Sequence, residues 1–150
     1  MKQYISEKQI NELSGEGKER LGEWWEPVRG DLCVHDYGGV CVITNNHTYE
    51  LVAGYEPRPG VKVDVQIMKM PKKEFLPLLS IGQMIEFLDE HIDSSISSLA
   101  IDRGEHQWHV YALDSIPTKP GIGNGCPFVV PELCDALWEA TKKILESETE

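Results

Sequence analysis

The chain has 150 residues, of which 41% are hydrophobic and 26% charged, and this composition is typical of one globular domain rather than a disordered segment. Acidic residues outnumber basic ones by 25 to 14, and the net charge of −11 argues against generic binding to a nucleic-acid backbone. The sequence has no apolar run long enough to cross a membrane, and its polar N-terminus does not resemble a secretory signal, so we expect an intracellular protein.

Two short helices are predicted over residues 6–25. Ser6 and Gln9 have the spacing of a capping box, in which each side chain bonds the backbone N–H of the other residue. Small residues around Ser14 interrupt the apolar pattern and predict a break between the two helices. Pro27 has no backbone N–H and is expected to end the second helix.

Strands are predicted over residues 31–53, where aliphatic and β-branched side chains alternate with turn signals. Gly38-Gly39 supplies the turn of a hairpin, and residues 47–52 predict a third strand. Residues 61–70 alternate between apolar and polar side chains, which indicates a half-buried strand.

A helix is predicted over residues 81–91, with Ser80 and Gln83 forming a second capping box. Residues 99–101 and 107–113 predict a second hairpin. The order of elements, with strands clustered rather than alternating with helices, predicts an α+β fold with a mostly antiparallel sheet and helices packed on one face.

Residues 114–131 contain four prolines and three glycines and are expected to form a long loop. Pro131 suits the first turn of a last helix, in which the N–H that proline lacks would have no partner. Residues 146–150 form an acidic tail. We expect the whole chain, residues 1–150, to be a single domain.

Three segments carry a resemblance to known proteins. LPLLSIGQMIEFLDEH (76–91), ELCDALWEATKKIL (132–145) and GEWWEPVRGD (22–31) resemble segments of uncharacterised small proteins encoded by phages and prophages of Gram-positive bacteria. The resemblance implies a phage or prophage origin, a location in the host cytoplasm, and a role in host interaction, replication support or counter-defence. It implies no catalytic residue.

One group of residues could bind a metal: Cys33, His35, Cys41 and His47. Thiolate and imidazole are ligands that zinc prefers, although this spacing matches no standard zinc motif. A three-residue turn would place His35 opposite Cys41 with Cys33 on the same face, whereas a two- or four-residue turn would point Cys41 the other way. The alternative is that both cysteines are small buried apolar residues. We therefore predict no cofactor, with zinc as the alternative.

A second group could contact a partner or ligand, because tryptophan is enriched at binding hot spots and stacks on bases, and because the arginines fall in predicted loops or turns. Adjacent tryptophans on a helix point about 100° apart, so at most one of the first pair can face the core. The alternative is that these rings cover the edge of the core. The group comprises Trp24, Trp25, Arg29, Arg58, Arg103, Trp108 and His109.

These observations favour a non-catalytic acidic protein that binds a host protein by masking its basic surface. The first alternative is a protein that binds or sequesters a small nucleotide-type ligand, and the second is a zinc protein that uses the cysteines and histidines. We expect no membrane partner, and homo-oligomers are compatible with each hypothesis.

Overall fold

The computed structural model describes residues 1–35, 39–45, 50–53, 66–69, 71–92, 97–103, 107–114 and 128–147. The chain divides into two compact units. The first unit is Ser6–Leu78, and the second unit combines Met1–Ile5 with Leu79–Glu150. The single domain expected over residues 1–150 stays a prediction. No helix in the described part of the chain is both long enough and apolar enough to cross a membrane.

The first unit begins with two helices, α1 (Glu7–Ile10) and α2 (Gly15–Trp24). The predicted capping box is present, because the Gln9 backbone N–H donates to Ser6 Oγ at 3.3 Å and the Ser6 N–H donates to Gln9 Oε1 at 2.9 Å. Ser14 caps α2 by accepting from the Gly17 N–H at 3.0 Å. The predicted break at Ser14 is therefore confirmed.

A five-stranded sheet completes the first unit, and every strand pair in it is antiparallel. Its spatial order is β4-β3-β2-β1-β5, with the strands β1 Leu32–His35, β2 Val40–Asn45, β3 Glu50–Ala53, β4 Gln66–Lys69 and β5 Phe75–Pro77. The sequence did not predict β5, which has three residues. Its last residue is Pro77, and proline is tolerated there because β5 lies at the edge of the sheet.

The predicted strand over residues 61–70 is confirmed at β4, and its residues 61–65 and 70 lie outside the described residues. The core beside the sheet is a cluster of buried side chains, namely Trp25, Cys33, Cys41, Ile43 and Phe75, with Trp24 packed against it. The Trp25 and Phe75 rings are perpendicular, with an interplanar angle of 88° and a centroid distance of 5.7 Å.

The second unit contains helices α3 (Ile81–His91) and α4 (Leu133–Glu146) and a sheet in the order β6-β7-β8. Its strands are β6 Ser97–Arg103, β7 Trp108–Asp114 and β8 Phe128–Val130. The predicted helix over residues 81–91, its capping box at Ser80 and the second hairpin are confirmed. Both sheets are antiparallel, so the α+β class is confirmed, with the strands divided between two sheets.

Two predictions around the last helix are wrong. Residues 128–130 are not loop but strand β8, which pairs with β7. This run of three apolar residues lies between two prolines, and those prolines dominated the sequence pattern. The helix begins at Leu133 with Glu132 as its N-cap, so Pro131 precedes the helix instead of occupying its first turn.

The N-terminal segment of the chain belongs to the second unit. The Lys2 ammonium lies 2.6 Å from Asp135 Oδ1 at the start of α4. Tyr4 forms a β-bridge with Ser80, and the Ile5 N–H donates to the Leu79 carbonyl at 3.0 Å. The chain therefore leaves the second unit at Ile5 and rejoins it at Leu79, next to the point of departure.

Helix α4 contains two buried polar atoms with no hydrogen-bond partner among the described residues, Trp138 Nε1 and Thr141 Oγ1. We expect Thr141→Val to raise the free energy of unfolding by about 1 kcal/mol, because valine has the same shape and carries no hydroxyl to desolvate. Threonine and valine also have similar helix propensities. Urea unfolding followed by circular dichroism measures the change. Thr141→Ser is the control, since it keeps the hydroxyl, and a loss of stability in the valine variant would contradict the expectation.

Candidate functional site

The two adjacent tryptophans differ in exposure. Trp25 is 2% exposed and its Nε1 donates to Asp31 Oδ2 at 2.9 Å, whereas Trp24 is half-buried. Trp25 is therefore a core residue whose ring does not meet solvent, and the prediction that it contacts a partner is corrected accordingly. Trp24 keeps part of its surface exposed at the end of α2 and remains a candidate.

Arg29 lies on an exposed turn that follows α2. Asp31 fixes the turn, because its Oδ2 also accepts from the Val28 N–H at 3.0 Å and its own N–H donates to the Val28 carbonyl at 3.0 Å. Gly30 has φ = +97°, a value that glycine adopts without strain. The turn thus presents Val28 and Arg29 to solvent. Arg58, also a candidate, lies outside the described residues.

Three other candidates lie at the end of the β6–β7 hairpin. Arg103 pairs with Trp108, and the centre of its guanidinium lies 5.6 Å from the ring centroid, within the range of a cation–π contact. His109 pairs with Asp102. Because successive strand residues point to opposite faces, Arg103 and Trp108 share one face and His109 lies on the other. The small-ligand function of this group stays a prediction.

The cysteines and His35 of the predicted metal group share one face of the first sheet, but the strand register differs from the predicted one. Cys41 pairs with Cys33 and not with His35. The last pair before the turn is Val34 with Val40, so the register differs by two residues from the one that would bring His35 opposite Cys41. Gly39, which precedes β2, has φ = +100°. His47 lies outside the described residues.

No three His, Cys, Asp or Glu side chains among the described residues are grouped closely enough to hold a metal ion. The Cys33 thiol instead approaches the Cys41 carbonyl at 3.7 Å, and the Cys41 thiol approaches the Gly39 carbonyl at 3.9 Å. Both thiols lie in the apolar cluster around Trp25. Their position corresponds to the alternative interpretation, in which they are small buried core residues.

The electrostatics of these thiols favour the protonated form. Burial raises the pKa of Cys33 to about 12, with further contributions from Cys41 and Asp31. Burial also raises the pKa of Cys41. In the second unit, burial raises the pKa of Cys134 to about 11, although the Lys2 ammonium acts in the opposite direction. Since the thiolate is both the nucleophile and the metal ligand, these thiols are poor nucleophiles as folded.

An acidic surface on α2 was not predicted, because the sequence interpretation used only the total charge. Glu16, Glu19 and Glu23 are exposed and follow one another at intervals of three and four residues. At about 100° per residue, the three carboxylates fall within about 60° of the helix circumference. Gly17 and Leu21 are buried on the other side. We call these three carboxylates the α2 acidic face; their helical spacing was readable in the sequence.

A similar surface lies on α3 in the second unit, where Glu86, Asp89 and Glu90 are exposed. The opposite side of this helix buries Met84, Phe87 and Leu88. The three acidic residues are called the α3 acidic face.

No protein-family model, curated protein or solved structure matches the chain. The candidate surfaces therefore rest on their own burial, charge and spacing.

Proposed function

We propose that this chain is a non-catalytic acidic binding protein of phage or prophage origin, and that it acts by masking a basic surface on a host protein. The α2 acidic face is the contact surface in this proposal. The resemblance of three sequence segments to phage and prophage proteins supports the origin. The charge of −11 and the exposure of the α2 carboxylates support the mode of binding.

The observation that carries the proposal is the placement of like charges on one helix face. Glu16 and Glu19 are three residues apart, and Glu19 and Glu23 are four apart, so each pair consists of neighbours on the helix surface. Like charges at such spacings destabilise a helix by about 0.2–0.5 kcal/mol per pair. Glu16 lies in the first turn, where the helix dipole favours a carboxylate. A basic partner would turn the remaining repulsion among the three side chains into attraction.

The ion pair between Arg20 and Glu16 on the same helix leaves the carboxylates exposed. Arg20 approaches Glu16 at 3.7 Å, but the Glu16 side chain is 84% exposed, and pairs of this kind contribute little energy in water. The carboxylates therefore remain accessible to lysine and arginine side chains of a partner. Complementary charges of this kind accelerate association of the two proteins, and salt weakens the attraction between them by screening. A host nucleic-acid-binding channel has the required basic chemistry.

The test uses capture of host proteins. Immobilised protein is incubated with lysate of a Gram-positive bacterium, and bound proteins are quantified by mass spectrometry at about 50 mM and about 500 mM salt, because screening weakens exposed charge pairs. We expect a basic host protein to bind at low salt and to be reduced about tenfold by the triple variant Glu16→Gln/Glu19→Gln/Glu23→Gln, which removes the complementary charge.

The matched control is Glu86→Gln/Asp89→Asn/Glu90→Gln, which changes the net charge by the same amount on the α3 acidic face. It is expected to capture the host protein as the unmodified chain does. Equal losses in the two variants would show that total charge, not the α2 acidic face, governs binding. Capture that does not respond to salt, or no capture of a basic protein, would refute the masking proposal.

A further inference from the structure

Cys33 and Cys41 face each other across the β1–β2 pair. The Ile43 N–H donates to the Asp31 carbonyl at 2.9 Å, which identifies Asp31 and Ile43 as a hydrogen-bonded pair of the ladder. Hydrogen-bonded and non-bonded pairs alternate along an antiparallel ladder, so the cysteine pair two residues further on is also of the hydrogen-bonded kind. The Cα atoms of such a pair are about 5.5 Å apart, within the range that a disulfide spans.

The side chains are oriented for contact as well. Opposite residues of an antiparallel pair point to the same face, and both cysteines belong to the same buried cluster. The Cys33 Sγ lies 3.7 Å from the carbonyl oxygen of Cys41, so this thiol already lies against the backbone of its partner. Both cysteines are free thiols in the structure.

We propose that Cys33 and Cys41 are a redox-sensitive pair that forms a reversible cross-strand disulfide when the protein meets a small-molecule disulfide such as oxidised glutathione. The proposal rests on strand register and side-chain placement and is independent of the proposed function. The bond would join β1 to β2 within the first unit.

The chemistry proceeds by two thiol–disulfide exchanges. One cysteine loses its proton to solvent and attacks a sulfur of oxidised glutathione, forming a mixed disulfide and releasing one glutathione. The second cysteine loses its proton and attacks the cysteine sulfur of the mixed disulfide, releasing the second glutathione. The two electrons lost by the cysteines reduce one oxidised glutathione to two glutathione molecules.

Burial controls how fast this reaction runs. Cys33 is 0% and Cys41 2% exposed, so the oxidant reaches them only when the strand pair opens locally. Gly39 and Val40, at the turn end of β2, are exposed, and opening is expected to start there. The pair is therefore expected to be stable against brief oxidation and to respond to sustained oxidising conditions.

The experiment maps thiols in the native full chain. Reduced protein is incubated without denaturant in glutathione buffers of increasing oxidised fraction, quenched in acid, denatured and alkylated, and its peptides are identified by mass spectrometry. We expect Cys33 and Cys41 to lose alkylation together, with a linked peptide pair about 2 Da lighter than the sum of the reduced peptides, and a reducing agent to restore both thiols. Cys134 is the matched control, because it is equally buried and is expected to stay alkylated.

Any of three results would overturn the proposal: both cysteines stay alkylated in the most oxidising buffer after prolonged incubation, each carries glutathione separately, or either is linked to another cysteine. Single variants, Cys33→Ser and Cys41→Ser, add a second readout, since neither can form the linked pair and the remaining cysteine is expected to stop at a mixed disulfide or stay reduced. If the variants do not fold, the peptide map of the unmodified chain decides alone.

Discussion

Replacing Trp25 with alanine is expected to lower the free energy of unfolding by about 3–5 kcal/mol, the range measured for removal of large buried aromatic side chains. The ring is 2% exposed and packs perpendicular to the Phe75 ring. Its removal leaves a cavity in the cluster that links α2 to the first sheet. It also removes the Nε1 donor to Asp31, the residue that fixes the turn presenting Arg29. Urea unfolding followed by circular dichroism measures the loss.

The neighbouring tryptophan provides the control. Trp24 has the same chemistry but is half-buried, so Trp24→Ala is expected to cost only about 1 kcal/mol. Trp25→Phe separates packing from hydrogen bonding, because it keeps an aromatic ring and removes the donor. Similar losses for Trp24→Ala and Trp25→Ala would contradict the assignment of one ring to the core and the other to the edge.

Alkaline pH is expected to destabilise the chain through its buried thiols. The pKa of Cys33 is raised from 9.0 to about 12 in the folded protein, so above pH 9 the unfolded chain releases a proton that the folded chain retains. The unfolded state then binds fewer protons, and the free energy of unfolding falls as pH rises. This contribution is fully present below pH 9 and is lost between pH 9 and pH 12.

The expected size follows from linkage. At about pH 10.5, about 1.5 pH units above the ordinary thiol value, Cys33 alone lowers the free energy of unfolding by about 2 kcal/mol relative to neutral pH. The measurement is urea unfolding with a reducing agent present, at neutral pH and at about pH 10.5. Cys33→Ala is expected to reduce the difference between the two pH values by that amount. An unchanged difference would show that the thiol is not protected in the folded state.

The sequence predicted the elements whose signals are local. A capping box involves residues three apart, so Ser6 with Gln9 and Ser80 with Gln83 were both identified correctly. Helices α2 and α3 followed from the same local signals. Fold class also followed, because the order of elements needs no knowledge of which strands pair.

The sequence could not predict what depends on distant pairing. Strands β5 and β8 have three residues each, and each becomes a strand only because a neighbouring strand offers backbone partners. The register that sets Cys33 against Cys41 depends on the geometry of the turn between them, and a different turn would have placed Cys41 elsewhere. The predicted candidate site also lacked the α2 acidic face, because the net charge of the chain does not show which helix face carries the acidic residues.

The route of the chain between its two units has a consequence for how such a protein could arise. Residues 6–78 leave from Ile5 and return at Leu79, and these two residues are joined by a hydrogen bond of 3.0 Å. A segment with adjacent attachment points has the topology of an inserted module, since its removal leaves only a short gap to close. Gene segments of this kind can be gained, lost or exchanged as one piece, so the Ser6–Leu78 unit and the α2 acidic face it carries could be acquired together by a chain that already possessed the second unit.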